Sequence, residues 1–160
     1  AGCLACPAGS ACVAGATVPL ECDPGSFSSV SRLSACAECD AGEFQGAMAQ
    51  SACQPCVEGE YCLPRATEPI TCAPGGFSDA PELSACLECG AGEYLPSPGA
   101  TACEPCDAGG WCGAGASAVT LCDAGSFRGA TGGASQADCA ACPAGSSCAK
   151  GATAPSACAR

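Results

Sequence analysis

The sequence predicts a small disulfide-rich fold, an elongated linear array of cysteine-rich modules built from short β-hairpins and turns with almost no helix. Three observations predict it. Of the 160 residues, 20 are cysteine, a fraction typical of disulfide scaffolds. Only 22 residues are Val, Ile, Leu, Met, Phe, Tyr or Trp, too few to enclose an ordinary core for this length. The cysteines also recur with a period of 50 residues.

The cysteine spacing divides the chain into three repeats, because a shift of 50 residues superimposes each set of cysteines on the next. We place the repeats at 1–52, 53–102 and 103–160. The third repeat is irregular, since the segment between Cys122 and Cys139 has 16 residues where its equivalents have 13. It then ends in the start of a further repeat.

A shorter motif recurs within each repeat, usually every 16 or 17 residues: Cys-x-x-Gly-x, followed by an aromatic or small residue. Its glycine predicts a tight turn that needs a positive φ, followed by a short strand. Gly or Pro interrupts nearly every short window, so helices of more than a turn or two are not expected. All seven aromatic residues occupy the last position of this motif, and we predict that they form the cores of their modules: Phe27, Phe44, Tyr61, Phe77, Tyr94, Trp111 and Phe127.

The cysteines fit disulfides better than metal or redox sites. Two sets of Cys-x-x-Cys pairs, 36/39 with 53/56 and 86/89 with 103/106, have zinc-ribbon spacing. A Cys-x-x-Cys pair is also compatible with redox chemistry. The other cysteines are equally regular, however, and would need partners of their own. Disulfides persist in oxidising compartments, so we expect an extracellular or cell-surface protein.

Connectivity does not follow from sequence alone, but the regular spacing favours a hypothesis in which each loop closes on itself. Such loops would hold each module independently, and we expect modules to contact only their sequence neighbours. Cys3 and Cys158 are left over, so either the chain is cut from a longer array or Cys158 of one copy bonds Cys3 of the next. The proposed pairs are Cys6–Cys12, Cys22–Cys36, Cys39–Cys53, Cys56–Cys62, Cys72–Cys86, Cys89–Cys103, Cys106–Cys112, Cys122–Cys139 and Cys142–Cys148.

The run CPAGSACVAGATVPLECDPGSF, from Cys6 to Phe27, resembles the ephrin-receptor-like cysteine-rich repeats of large extracellular proteins of protists and algae. The segment from Cys22 to Cys39 is also similar to the first half of a tumour-necrosis-factor-receptor cysteine-rich module, in which the pairing matches Cys22–Cys36. The later spacing departs from the crossed disulfides of that family. The resemblance implies EGF-like or tumour-necrosis-factor-receptor-like micro-modules in an extracellular array.

Composition argues against several functions. The chain has no His, which removes His-based acid–base chemistry and His-containing zinc sites. Carboxylate pairs such as Glu58 and Glu60 lie in turn-rich segments with nothing apolar to raise a pKa. We therefore expect no enzyme, no catalytic residue and no metal site. The net charge of −11 disfavours nucleic acid and anionic lipid as partners, and no apolar run is long enough for membrane insertion.

Two surface features remain open. Acidic residues recur near the short motif, yet the EF-hand pattern is missing, so we expect a solvated acidic face and no cofactor, with structural calcium as the alternative. Hydroxyl residues flanked by small residues and Pro suit O-glycosylation, whose alternative is plain turn chemistry. The candidate glycan sites are Thr17, Thr67, Ser117, Thr153 and Ser97.

The leading functional hypothesis is a non-enzymatic extracellular structural protein, a disulfide-laddered rod that assembles with copies of itself into a fibre, surface coat or appendage. Repeats with contacts that do not close give helical filaments. The alternative is a ligand-binding stalk or ectodomain of a cell-surface receptor, which would need a non-repetitive patch; only Arg65 and Trp111 break the pattern. A secreted inhibitor or toxin would need a hypervariable loop, which the uniform repeat disfavours.

Overall fold

The computed structural model describes residues 6–158, which form nine two-stranded antiparallel β-hairpins and one short 3-10 helix, Gln136–Asp138. This architecture confirms the prediction of a disulfide-rich hairpin array with almost no helix. Each hairpin pairs two consecutive strands, and we number the hairpins 1 to 9 along the chain. The strands are β1 Ser10–Ala11, β2 Leu20–Glu21, β3 Ser26–Phe27, β4 Ala37–Glu38, β5 Glu43–Phe44, β6 Gln54–Pro55, β7 Glu60–Tyr61, β8 Ile70–Thr71, β9 Gly76–Phe77, β10 Leu87–Glu88, β11 Glu93–Tyr94, β12 Glu104–Pro105, β13 Gly110–Trp111, β14 Thr120–Leu121, β15 Ser126–Phe127, β16 Ala140–Ala141, β17 Ser146–Ser147 and β18 Ser156–Ala157.

The Cys-x-x-Gly motif forms the turn that leads into the first strand of each hairpin. In hairpin 1 the N–H of Ser10 donates to the carbonyl of Pro7 at 3.3 Å. Gly9, the third residue of that turn, has a φ of 83°. This is the type II β-turn, which requires a positive φ at that position. The predicted turn is present in all nine hairpins, at Gly9, Gly25, Gly42, Gly59, Gly75, Gly92, Gly109, Gly125 and Gly145.

Disulfides close the loops locally, as the spacing predicts. Cys72 and Cys86 are both disulfide-bonded as well, and their mutual pairing stays a prediction. The cysteines of both zinc-ribbon-like sets are disulfide-bonded. Cys3 lies outside the described residues. The bridges present are Cys6–Cys12, Cys22–Cys36, Cys39–Cys53, Cys56–Cys62, Cys89–Cys103, Cys106–Cys112, Cys122–Cys139 and Cys142–Cys148.

Trypsin will test this connectivity. Arg32 and Arg128 lie inside closed loops, whereas Arg65 and Lys150 lie between loops. Cleavage without reductant should therefore separate 66–150 from 1–65 and from 151–160, and prior reduction should also separate the pieces cut at Arg32 and Arg128. Mass spectrometry reads both digests. A species that joins 1–65 to 66–150 before reduction would contradict the local pairing.

The buried side chains are cysteines more than aromatic rings. The first cysteine of hairpins 1 to 8 is nearly inaccessible, with 0% of the surface of Cys56 exposed, for example, whereas that of hairpin 9, Cys142, is partly exposed. All seven aromatic residues are only half-buried, at the end of the first strand of their hairpins. The prediction that the rings form the module cores is therefore wrong. Disulfides supply most of the buried apolar side chains, and the rings remain partly exposed.

Successive hairpins are joined by a repeated set of three backbone hydrogen bonds, which we call the joint. Between hairpins 2 and 3, Gly25 N–H donates to Gln45 C=O at 2.7 Å, Ser28 N–H to Gln50 C=O at 3.0 Å, and Ala49 N–H to Cys22 C=O at 2.9 Å. All three bonds recur at equivalent positions in six further joints, from hairpins 1 and 2 to hairpins 8 and 9. The joint uses main-chain atoms only, so different side chains can occupy it.

Six of the hairpins also contact the second hairpin along the chain. A Cβ atom built on Gly42 would overlap the carbonyl oxygen of Glu82, and one built on Gly9 would overlap that of Ala49. The same close approach recurs between Gly75 and Gly115. The expectation that modules contact only their sequence neighbours is therefore wrong. A turn glycine has no side chain, so a carbonyl from two hairpins onward can lie directly against its Cα.

The loop between the two strands of each hairpin contains a residue with a left-handed backbone, and in four hairpins this residue is not glycine: Arg32, Ala49, Arg65 and Glu82. We expect Ala49→Gly to stabilise its joint by up to about 1 kcal/mol, because a non-glycine residue is strained there. Hydrogen exchange of the Ser28 amide, which lies in this joint, measures the change. The control, Ala41→Gly, alters a residue without positive φ and should lower stability; the same sign for both would refute the explanation.

Contacts between residues divide the chain into two units, one of Ala1–Thr71 with Ala80–Cys86 and one of Cys72–Asp79 with Leu87–Arg160. Within each unit the same turn, bridge and joint are repeated. The units differ from the sequence repeats 1–52, 53–102 and 103–160, which remain a prediction about the repeating element.

Candidate functional surfaces

Acidic side chains cover the hairpin turns. All of those that recur near the short motif are exposed or half-exposed: Asp23, Asp40, Glu43, Glu58, Glu60, Glu93, Asp107 and Asp123. Glu38 pairs with the Nε of Arg65 at 3.4 Å, with both side chains about two-thirds exposed, so the pair adds little stability. In residues 6–158 no three His, Cys, Asp or Glu side chains form a group that would hold a metal ion. These carboxylates are in contact with water, and structural calcium stays the alternative prediction.

The candidate O-glycan hydroxyls lie on the loops and connectors, and each is exposed: Thr17, Thr67, Ser117, Thr153 and Ser97. Three of them precede a half-buried proline by two residues, at Pro19, Pro69 and Pro155. Equivalent exposure in four connectors means that modifying enzymes would meet the same local structure each time. Glycosylation at these positions remains a proposal.

The longer loop of the third repeat folds around Arg128. This residue follows the ring of hairpin 8 and stands where Ser28 stands in the first repeat. Its guanidinium donates to the carbonyl of Thr131 and to that of Asp138, both at 3.1 Å. Our reading of the sequence missed this arrangement. Its signal was the coincidence of a longer loop with Arg in place of Ser, since the added residues provide the carbonyls that the guanidinium needs.

Asp138 ends the 3-10 helix and fixes this loop. Its Oδ2 accepts hydrogen bonds from the N–H groups of Ala134 at 2.8 Å and Ser135 at 3.0 Å. These two backbone donors hold the pKa of Asp138 below its ordinary value, because they stabilise the charged form.

The loop should therefore depend on pH. A carboxyl with a lowered folded pKa contributes stability above its ordinary value of about 3.9, and this is lost as pH falls through the folded pKa. We expect the amides of Ala134 and Ser135 to lose protection in that acidic range, measured by NMR. Asp138→Asn should remove this titration, whereas Asp123→Asn, whose side chain accepts no such bonds, should keep it. Titration that persists in Asp138→Asn would assign it to another group.

Two aromatic side chains near this loop, in hairpins 6 and 7, donate hydrogen bonds to other side chains. The indole N–H of Trp111 donates to Gln136 Oε1 at 3.0 Å, and the Tyr94 hydroxyl donates to Asp107 at 3.3 Å. Partial desolvation, the Asp107 charge and this hydrogen bond raise the pKa of Tyr94. Both rings are half-exposed and carry polar tips. We call these four residues, Tyr94, Asp107, Trp111 and Gln136, the aromatic patch.

Elsewhere the surface offers little enclosure. A shallow depression of about 300 Å³ is lined by Val57, Glu58 and Pro81, all of them exposed. No helix within residues 6–158 has the length and apolarity needed to cross a bilayer. Cys158 is free and exposed, and its N–H donates to Gly145 C=O at 3.1 Å. Cys22 makes the equivalent bond to Gly9, so Cys158 has the backbone setting of a cysteine that begins a hairpin.

Comparison with known proteins adds no identification: no protein-family model matches this chain, and a search of the curated proteins finds no match either.

Proposed function

We propose that this chain is a non-enzymatic extracellular structural protein, a disulfide-laddered rod that assembles into a fibre, surface coat or appendage. The joint carries the proposal. Its three hydrogen bonds are made by backbone atoms, so each hairpin can bind the next whatever its side chains are. Such repetition suits a protein whose task is to extend a structure, because stability then adds up from one neighbour to the next.

The disulfides support the extracellular location. Eighteen cysteines within residues 6–158 are bonded, and such bonds are rare where thioredoxin and glutathione keep thiols reduced. The absence of enzymatic function rests on chemistry: the sequence has no His, and every carboxylate is at least partly exposed to water. A carboxyl that acts as a general acid at neutral pH needs an apolar environment, which exposed carboxylates lack.

Copies of the same chain are the proposed partners. Cys158, free and exposed, would bond Cys3 of the next copy, which lies outside the described residues. Glycans on the exposed hydroxyls of Thr17, Thr67 and Thr153 would add to the surface of such an assembly. Intact mass of the secreted protein, compared with the sequence mass, tests for these glycans.

Negative-stain electron microscopy of the purified, oxidised chain tests the assembly. We expect filaments of uniform width, together with a ladder of multimers on non-reducing gels. In Cys158→Ser the ladder should disappear, while the matched control Ser156→Ala should keep it. Isolated particles at all concentrations, or a monomer band from intact assemblies, would count against the proposal.

A receptor stalk or ectodomain is the second candidate, and the aromatic patch favours it. Half-exposed rings with polar tips are enriched in binding surfaces. Trp111→Ala would then abolish binding of a ligand and leave any filaments unchanged. The two candidates are separated by the same micrographs, since a stalk predicts single particles.

A further inference from the structure

The eight disulfide loops identified within residues 6–158 follow one another along the chain and do not interleave. Cys22–Cys36 closes before Cys39–Cys53 begins, and Cys56–Cys62 follows that bridge. The four bridges from Cys89–Cys103 to Cys142–Cys148 have the same order. A force applied along the chain therefore passes through each of these bridges and bypasses the residues that its loop contains.

The bypassed length has two main values. A loop with a sequence separation of 14 spans about 50 Å when extended, at about 3.5 Å per residue, whereas the Cα atoms across its bridge are 5.7 Å apart. While its bridge is intact, such a loop therefore keeps about 43 Å of chain from extending. A loop with a separation of 6, such as Cys106–Cys112, withholds about 15 Å by the same reasoning. Only Cys122–Cys139, with a separation of 17, is longer, at about 54 Å.

The contacts between loops are small and alike. Each complete joint consists of three backbone hydrogen bonds, supplemented by the approach of a carbonyl to a turn glycine. The nearly inaccessible side chains are mostly cysteines, each bonded within its own hairpin, so no large apolar core links one hairpin to the next. Opening one joint therefore leaves more distant joints intact.

From these features we propose that the chain is an extension-limited tether. Under tension its joints open one after another, and each opening releases only the connector between two loops. The longest connectors, such as the ten residues from Cys12 to Cys22, supply at most about 35 Å each. The disulfide loops then stop the extension well short of the length of the unfolded chain. This is a property of one chain and does not depend on filament formation.

Single-molecule force extension of the full oxidised chain, held through handles fused to both ends, tests the tether. We expect a series of small releases, none longer than about 35 Å, followed by stiffening. One cooperative release of more than about 100 Å would overturn the proposal. A chain that shows the small releases but forms no filaments would support the tether proposal and contradict the proposal that the chain forms a fibre.

Reduction under constant force tests the limit itself. A phosphine added to the extended chain should produce discrete steps of about 43 Å and about 15 Å, and one longer step of about 54 Å. Cys39→Ser combined with Cys53→Ser should remove one step of about 43 Å, whereas the matched control, Cys106→Ser with Cys112→Ser, should remove one of about 15 Å. Step lengths that do not fall into these classes would overturn the proposal.

Discussion

Reduction of the disulfides is expected to unfold every hairpin of the chain. The side chains with the lowest exposure are mostly cysteines, and the large apolar residues are half-buried or exposed with few exceptions such as Leu95. In the chain-entropy model each bridge contributes about 2 to 3 kcal/mol, so the eight local bridges together exceed the whole stability of a typical domain. Without them little buried apolar surface remains to oppose chain entropy.

Hydrogen exchange of the joint amides, such as Gly25 and Gly92, measures this loss. Protection should disappear after reduction and alkylation. The control is the oxidised chain exposed to the alkylating reagent alone, which should retain protection because Cys39 and Cys89, next to these joints, are bonded. Substantial protection after complete reduction would show that packing, and not the bridges, maintains the hairpins.

Replacement of Gly75 by Ala is expected to destabilise its joint by about 2 to 5 kcal/mol. Gly75 has a φ of 87°, which costs an L-residue about 1 to 2 kcal/mol. A methyl group on Gly75 would also overlap the carbonyl oxygen of Gly115, and overpacking of this kind costs about 1 to 3 kcal/mol. The neighbouring atom is backbone, so it cannot rotate away as a side chain would.

Gly125 provides the matched control. It has the same φ of 87°, yet a Cβ built on it meets no atom within 4 Å. Gly125→Ala should therefore cost only the backbone term of about 1 to 2 kcal/mol. Local hydrogen exchange at the Gly75 and Gly125 positions, which both donate into joints, gives the two losses. Equal losses would mean that the approach of the Gly115 carbonyl contributes nothing.

The sequence predicted that the motif glycines form turns, but it did not predict their contacts with distant backbone carbonyls. A motif shows that Gly42 follows Cys39 by three residues, and this spacing indicates a positive φ. It does not show that the carbonyl of Glu82 lies against Gly42, because the two are 40 residues apart and contact depends on how hairpins stack. The left-handed backbone of Arg32 and Ala49 was equally invisible, since neither residue type favours it.

Some features of the candidate surfaces could be predicted from the sequence, and others could not. The hydroxyl of Thr67 could be placed on an exposed connector from composition, because Pro and small residues favour extended chain. The loop around Arg128 could not, since a guanidinium binds whichever carbonyls the fold presents and its own sequence position does not specify them. The pairing of Trp111 with Gln136 likewise joins two hairpins and follows only from their stacking.

The sequence by itself determined the nine turns and the short strands of this protein, and its regular spacing favoured the local closure of each loop. These depend on interactions over at most 17 residues, which spacing and residue type record directly. Only the tertiary structure decided how the hairpins associate. The joint and the contact with the second hairpin are made by backbone atoms, which every residue possesses, so no pattern of side chains could reveal them. For the same reason the cysteines, and not the rings, are the buried core: a ring's burial depends on neighbours that stacking alone supplies.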